Sequence, residues 1–356
     1  MSATAWVASL SPWPEEFGLD RMRRLLAALG DPQRAFPAVH VVGTNGKTTA
    51  TRTVAALLRA EGLDVGAYTS PHVSGWHERL DTDPETFERA VARVRPHAEM
   101  LGATQFEVLT AAALAEFAAR GVAAAVVEAG LGGRLDATNV LDARVVLLTN
   151  VSLEHTDVLG DTRDAIAREK LAVARPPATV VLGEPEWAPL VPSGCEVVAG
   201  GAHEAAEAFL GRPLEREVEI RVPGRLDWRG PGELWDGAHN PAGAEWLLGR
   251  LPDLNWTVVA SILADKDAEQ MLRTLGRAGD TFVATSSSNA RALDADELAG
   301  RAAGIFAHVE SVADPAAARA RALELGRPVL VTGSLYLLAD LASRSENVRC
   351  GSPLRG

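Results

Sequence analysis

The sequence predicts an α/β protein of two domains, the first built on a mostly parallel sheet and the second a smaller α/β unit. Three observations predict it. The chain has 356 residues, two domains at roughly 150 residues each. Short apolar runs alternate with stretches of helical periodicity, the pattern of parallel strands covered on both faces by helices. One strand-to-helix junction is written in glycine, Val41-Val42-Gly43-Thr44-Asn45-Gly46-Lys47-Thr48-Thr49.

The elements follow in order. Val39 to Val42 is an apolar strand, and Lys47 to Glu61 carries apolar residues at helical spacing. Leu63 to Thr69 reads as a strand, Phe106 to Arg120 as a helix stopped at Gly121, and Ala123 to Glu128 as a buried strand. Val145 to Asn150 is a further strand and Arg163 to Ala174 a helix. From Pro176 to Gly201 five prolines make the text loop-rich, and no elements are assigned there. Pro223-Gly224-Arg225 and Arg229-Gly230-Pro231-Gly232 are turn clusters suited to a hinge. The expected domains are therefore 1–222 and 223–356. After the hinge, strands are expected at Glu233 to Trp235, Thr257 to Ile262, Thr281 to Thr285 and Val329 to Thr332. Helices at Ala242 to Leu251, Ala268 to Leu275 and Ala316 to Leu325 alternate with them, a Rossmann-like rhythm.

Composition narrows the function. Hydrophobic residues make up 47% and charged residues 23%, a globular balance. No apolar run approaches the roughly 20 residues that span a bilayer. The opening MSATAWVASLSPWPEEFGLD has no basic start followed by a long apolar run, so no secretion signal is expected. A net charge of -12 argues against general nucleic-acid binding, which needs Lys and Arg against phosphates. Cys195 and Cys350 stand far apart and form no CxxC pair, so neither a disulfide framework nor a cysteine zinc site is expected. A cytoplasmic location follows as the expectation.

The glycine junction is the strongest local signal. Its turn exposes successive backbone N–H groups at a helix start, an anion cradle of P-loop type. Thr44, Asn45, Gly46, Lys47, Thr48 and Thr49 are the nucleotide-binding candidates, with Lys47 reaching the β/γ phosphates and Thr48 able to bind Mg²⁺. The full Walker pattern is not present, since Val41 stands where its first glycine belongs. Glu128 ends a buried strand, so its carboxylate points into the crevice where ligands bind, and its hard oxygens suit Mg²⁺. His155 follows the strand ending at Asn150 on the same edge. Arg168, Glu169 and Lys170 taken alone read as a solvated helix face.

The loop GTNGKTT resembles the phosphate loop of the muramyl ligase superfamily, its double threonine nearer the muramyl branch. Later blocks resemble the folylpolyglutamate synthase and dihydrofolate synthase branch. They are Tyr68 to His72 (YTSPH), Val127 to Asn139 (VEAGLGGRLDATN), Ser152 to Gly160 (SLEHTDVLG), Ala167 to Ala172 (AREKLA), Gly224-Arg225-Leu226, Trp235 to Pro241 (WDGAHNP), Asp265-Lys266-Asp267 and Thr332-Gly333-Ser334. They occur in order over most of the chain.

This resemblance implies an ATP-dependent acid–amino acid ligase of folate biosynthesis and one-carbon metabolism. Glutamate is joined to dihydropteroate, reduced folate or both through an acyl phosphate, with release of ADP and phosphate. It implies Lys47, Glu128, His155 and Lys170 as catalytic residues, and Thr48, Ser70, Glu128, His155 and Lys170 around two Mg²⁺ ions. Lys170 would be carbamylated, its amine turned into an anionic ligand. Leu135, Asp136 and Ala137 would face the pterin. Thr104, Phe106 and Glu107 occupy another pterin-contacting place, although Phe106 equally fits a core position by its spacing to Leu109 and Ala113. Arg225 on phosphate and Asp236 on ribose would hold ATP from the second domain, and His239 and Ser334 would face glutamate; for the last two a cap or turn role fits equally well. Small molecules are the expected partners, with no nucleic acid and no membrane, and the enzyme is expected to act as a monomer.

Two departures from the pattern stand out. Thr48 replaces a usual glycine. Pro176 to Arg221 is short and lacks the Asn that opens a helix in relatives; His203 is the nearest substitute. The rival readings are a UDP-N-acetylmuramyl amino-acid ligase and a decayed nucleotide-binding relative. The first is weakened because the loop begins about forty residues in, too early for a preceding domain.

Overall fold

The computed structural model describes residues 1–326 and 328–350, the side chains of 344–350 excepted. The chain divides into two compact units. One comprises Met1–Ser70 and Trp76–Ile220; the other comprises Pro71–Gly75 and the chain from Arg221 onward. Cys195 is a free thiol, and the Cys350 side chain lies outside the described ones.

The first unit runs α1 (Ala3–Ser9), α2 (Asp20–Ala28), β1 (Ala38–Val42), α3 (Lys47–Ala60), β2 (Val65–Tyr68), α4 (Pro84–Leu101), α5 (Gln105–Arg120), β3 (Ala124–Glu128), β4 (Val145–Leu148), α6 (Thr156–Leu159), α7 (Arg163–Leu171), β5 (Thr179–Leu182), β6 (Glu196–Ala199) and α8 (Ala202–Leu210). Its six strands are all parallel in the order β2-β3-β1-β4-β5-β6. Every residue of β1, β2, β3 and β4 is buried. That is why they read as continuous apolar runs rather than alternating ones. The chain leaves β1 toward β2 and later returns to β4 on the other side, so the order reverses at β1, where α/β sheets open a ligand crevice.

The helices α1, α2 and α4, unassigned in the sequence, cover one face together with α5. Trp6, Val7, Met22, Leu25, Leu26, Phe87 and Val91 form their shared core. The loop-rich stretch from Pro176 to Gly201 is a correction to the sequence reading, for it supplies β5 and β6. Both lie in a stretch broken by prolines, and β6 is largely exposed, so neither stands out as a strand bounded by turns. Helix α8 then packs Ala205, Ala206 and Phe209 with Val54, Ala55 and Leu58 of α3.

The second unit runs β7 (Asp227–Gly230), β8 (Glu233–Trp235), α9 (Pro241–Leu248), β9 (Thr257–Ala260), α10 (Ala268–Leu275), β10 (Thr281–Ala284), α11 (Ala295–Ala302), β11 (His308–Ser311), α12 (Pro315–Glu324), β12 (Val329–Thr332) and α13 (Leu335–Cys350). The strand order is β11-β10-β9-β12-β8-β7, parallel throughout except that β7 runs against β8. The expected strands and helices are present, with β7, β11, α11 and α13 added. Helix starts are set by side-chain caps: Asn240 accepts from Gly243 N, Asp267 from Gln270 N and Asp314 from Ala317 N.

Helix α10 shows which contacts hold this unit. Leu272 is fully buried in the core with Trp256 and Met271, whereas Arg273 pairs with Glu269 in solvent at 67% and 68% side-chain exposure. Leu272→Ala is expected to lower stability by about 2–5 kcal/mol, and Arg273→Ala by under about 0.5 kcal/mol. Denaturant unfolding followed by tryptophan fluorescence measures both. Equal effects of the two would contradict this division.

Candidate active site

The phosphate loop is Gly43 to Gly46, between β1 and α3. Gly43 has φ +146, and a Cβ there would lie 1.9 Å from Thr149 Oγ1. Gly46, with φ +79, is the N-cap of α3. Both positions need the freedom of glycine. The loop is stapled to the residues after β4. Asn45 N donates to Asn150 Oδ1 (2.9 Å), and Thr149 Oγ1 donates to Asn45 O (2.7 Å). Thr44 Oγ1 accepts from Ser152 N at 3.0 Å. Lys47 folds back over the loop, its Nζ donating to Gly43 O (2.9 Å) and Thr44 O (3.0 Å). Thr49 lies in the first turn of α3.

Strand order decides what stands beside this loop. Strand β3 lies between β1 and β2, so Glu128 at its end stands between Thr48, just past β1, and Ser70, just past β2. Glu128 is 1% exposed. Its Oε1 accepts from Thr48 Oγ1 and its Oε2 from Ser70 N, both at 2.9 Å. Three of the five expected metal-site residues are thus joined directly. Their hydroxyl and carboxylate oxygens are the hard donors that Mg²⁺ takes.

Lys170 is not on a solvated face. It is 1% exposed in α7, and its Nζ donates to Gly43 O (2.8 Å) and Glu154 Oε1 (2.9 Å). Burial, opposed by Glu154 and aided by the nearby Lys47 charge, brings its ammonium down to about 8. Burial would raise Glu154, but the Lys170 and Lys47 ammoniums hold it at about 2. Two ammoniums therefore converge on the carbonyl of Gly43. His155 caps α6 in the left-handed conformation, φ +47, and is exposed. Among the described residues no three His, Cys, Asp or Glu side chains gather as a metal cluster.

The residues expected to face the pterin divide. Thr104 and Glu107 form a capping box at the start of α5: Glu107 Oε2 accepts from Thr104 N (2.9 Å) and Oγ1 (2.7 Å) and also pairs with Arg21. Asp136 is buried, its oxygens taken by Gly130 N, Leu131 N, Thr138 N and Thr138 Oγ1. These three side chains shape their own backbone. Phe106 is 8% exposed and packs at 6.0 Å from Trp13 and 6.1 Å from Tyr68. Leu135 is half-buried and Ala137 buried on the loop after β3. That loop presses on α7, since a Cβ at Gly133 would lie 2.6 Å from Lys170 O.

In the second unit four expected residues gather at the carboxyl ends of the paired strands β8 and β12. Asp236 is 2% exposed and accepts from Leu226 N and Ala238 N, both at 2.9 Å. It thereby ties the Arg225 turn to the turn after β8. Burial raises its carboxyl, against the Arg225 guanidinium. His239 Nδ1 lies 2.8 Å from Gly237 O. Ser334 Oγ accepts from Tyr336 N at 3.1 Å, opening α13, and Gly333 N donates to Ala238 O at 3.0 Å. His203, in the first turn of α8, turns its ring to Leu214 O at 3.2 Å.

Sequence reasoning passed over several participants. Thr149 and Asn150 read as strand end, and Glu154 sits inside the quoted SLEHT block without a role. Trp13 and Phe17, 41% and 38% exposed, meet in a tilted pair with ring centroids 6.4 Å apart, beside Phe106. Two aromatics in a proline-rich opening loop were the available signal.

The chain matches two family models, the Mur ligase middle domain over residues 41–181 and the Mur ligase, glutamate ligase domain over residues 224–335. It is 32% identical to the dihydrofolate synthase/folylpolyglutamate synthase of Mycobacterium tuberculosis, over 81% of this chain and 78% of that one. Its fold is similar to Escherichia coli FolC in complex with DHPP and ADP, with a TM-score of 0.86 at 27% identity, covering 98% of this chain and 99% of the other. It is also similar to a bifunctional folylpolyglutamate synthase/dihydrofolate synthase with Mn, AMPPNP and L-glutamate bound. There the TM-score is 0.83 at 27% identity, covering 97% and 98%.

The buried ion pair sets a pH dependence. Glu154 lies below its ordinary value of 4.5 when folded, so its stabilisation is present above pH 4.5 and is lost as pH falls toward about 2. Lys170 lies at about 8 against 10.5. The unfolded chain holds that proton longer, so stability rises with pH from about 8 to 10.5. Glu154→Gln is expected to flatten the acid limb of unfolding midpoint against pH and to start the alkaline rise at lower pH. An unchanged acid limb would show that the pair does not form.

Proposed function

The chain belongs to the dihydrofolate synthase/folylpolyglutamate synthase family of Mur ligases, and on that premise we propose that it joins L-glutamate to a pteroate or folate carboxylate at the expense of ATP. The observation that carries the reading is the meeting of Thr48, Ser70 and Glu128 beside the phosphate loop. That arrangement suits a metal-bound triphosphate, and the family supplies the acceptor.

The reaction has two displacements. A carboxylate oxygen of the acceptor attacks the γ-phosphorus of ATP, ADP leaves, and an acyl phosphate forms. The nitrogen of glutamate then attacks the acyl carbon, the C–O bond to phosphate breaks, and phosphate leaves with an amide in place. Phosphoryl transfer rests on positioning and charge neutralisation. The loop amides and the α3 N-terminus hold the phosphates. Lys47 leaves its two carbonyl acceptors for the β/γ oxygens, three donors on one flexible stem. Arg225 adds a planar fork for phosphate. We assign Mg²⁺ to Thr48 and Glu128, with Ser70 and His155 adjoining, in two sites; bound there, it neutralises charge developing on the transferred group. The Trp13, Phe17 and Phe106 rings, tilted against one another, offer aromatic faces for a pterin, with Leu135 and Ala137 on the neighbouring loop. Asp236 keeps Arg225 in place, and His239 and Ser334 are assigned to glutamate. Among the described residues no helix is long and apolar enough to cross a membrane. We place the enzyme in the cytoplasm, acting as a monomer on small molecules.

Lys170 fits carbamylation in one respect and restricts it in another. Its lowered value leaves a fraction of neutral amine to take up CO₂ near neutral pH. The product anion would stand beside the Glu154 carboxylate, and like charges in a buried site repel strongly unless a cation lies between them. Modification and metal binding are therefore linked in this reading.

Phosphate release with ATP, Mg²⁺ and glutamate separates the acceptors. Turnover with dihydropteroate alone means a dihydrofolate synthase, with tetrahydrofolate alone a polyglutamylating enzyme, and with both a bifunctional one. Glu128→Gln is expected to lower kcat by at least about 100-fold. Turnover only with a UDP-muramyl acceptor would refute the folate reading.

Carbamylation is checked by mass and by ¹³C spectra with labelled bicarbonate. The label is expected on Lys170 only when Mg²⁺ and nucleotide are present. Lys170→Ala is expected to be inactive, and full activity in that variant would remove Lys170 from the mechanism.

A further inference from the structure

His40 is an unusual side chain for its place. It sits in the middle of β1, between β3 and β4, and is fully buried. Its Nε2 lies 2.8 Å from Thr138 Oγ1. Its Nδ1 has no partner among the described residues. A buried imidazole nitrogen without a partner carries a penalty of about 1–3 kcal/mol, so the ring needs a reason to be there.

The hydrogen-bond inventory settles which nitrogen holds the proton. Asp136 takes four donors, Gly130 N, Leu131 N, Thr138 N and Thr138 Oγ1. Burial raises the Asp136 carboxyl, and the four donors oppose it by favouring the charged form, in which the carboxylate is the acceptor in each. The single proton of the Thr138 hydroxyl is therefore directed at Asp136, and toward His40 that hydroxyl can only accept. Nε2 must carry the hydrogen, and Nδ1 is the bare nitrogen. Burial, with the Arg175 charge nearby, lowers the ring to about 3 and keeps it neutral.

The chain of bonds ends beside the phosphate loop. Asp136 Oδ2 accepts from Gly130 N at 3.0 Å and Leu131 N at 2.8 Å. These amides follow Glu128 by two and three residues. We propose that His40 is a positioning residue for the ligase reaction: as the neutral Nε2–H tautomer it fixes the Thr138 hydroxyl on Asp136, and through it the turn that aims Glu128 at Thr48 and Ser70. The inference rests on the ligase reading for its kinetic consequence, but not for its hydrogen-bond pattern.

The variants follow from the geometry. Gln places a donor nitrogen where Nε2 stands, and Leu fills the space without one. His40→Leu is expected to lower kcat about 10-fold with the KM for ATP nearly unchanged, and to raise the Mg²⁺ concentration needed for half activity, as misaimed catalytic groups do. His40→Gln should recover most of that kcat. Thr138→Val should match His40→Leu, and the double variant should lose no more than either alone, since both cut one linkage. A His40→Gln variant as slow as His40→Leu, or additive losses, would overturn the proposal. Should the variants fail to fold, ¹⁵N-histidine spectra of the unaltered protein decide: a proton on Nε2 of His40 supports the linkage, and one on Nδ1 ends it. Unaltered protein without glutamate-dependent ATP turnover would sink the ligase reading instead, leaving the tautomer measurement to judge this one.

Discussion

Glu128 is a carboxylate at the end of a strand buried on both faces, and the first unit is arranged around satisfying it. A buried carboxylate left unpaired is among the most unfavourable groups a fold can hold. Each of its oxygens has a donor, and each donor comes from a neighbouring strand end: Thr48 past β1, Ser70 past β2. Only the order β2-β3-β1 brings those three ends together. The same order puts the phosphate loop at the reversal point of the sheet. One topological fact thus sets the glycine loop, the buried carboxylate and hydroxyl oxygens beside it and the crevice they face.

Much of this was legible in the residues. The glycine turn is local, since positive φ at Gly43 and Gly46 leaves few other residue types possible there. Glu128 was legible because an apolar run ending in a charge marks a strand end. Lys170 was not legible by periodicity, because its neighbour Arg168 does face solvent, paired with Asp164, and half-buried Glu169 pairs with Arg134. Its burial depends on a contact with Gly43, 127 residues away. Strands β5 and β6 were hidden for another reason: they stand in a stretch broken by five prolines, and β6 is largely exposed and so carries no buried apolar run.

The second unit repeats the lesson in a smaller frame. Arg225, Asp236, His239 and Ser334 are spread over more than a hundred positions, yet the adjacent strands β7, β8 and β12 carry them to one edge. Asp236 reads in the sequence as a ligand-contacting acid. Its oxygens already hold Leu226 N and Ala238 N. Such a carboxylate acts first on the backbone around it, and through that on Arg225.

The polar interior between β1 and α7 makes the same point at greater energetic risk. His40, Asp136, Thr138, Asn139 and Arg175 are linked where an apolar plug would fill the space. Arg175 donates to Asn139 Oδ1 at 2.8 Å, and Asn139 Nδ2 donates to Arg134 O at 2.8 Å. Apolar packing is non-directional, and it would leave the turn after Glu128 free to slide. Directional bonds do not. The turn must also pass α7 at Gly133, where even a Cβ would meet the carbonyls of Glu169 and Lys170. A loop held that closely at one end and bonded to Asp136 at the other fixes Glu128 and Lys170 relative to each other. A polar network with one unsatisfied nitrogen is tolerable when it fixes two buried side chains, one at a strand end and one on a helix, at once.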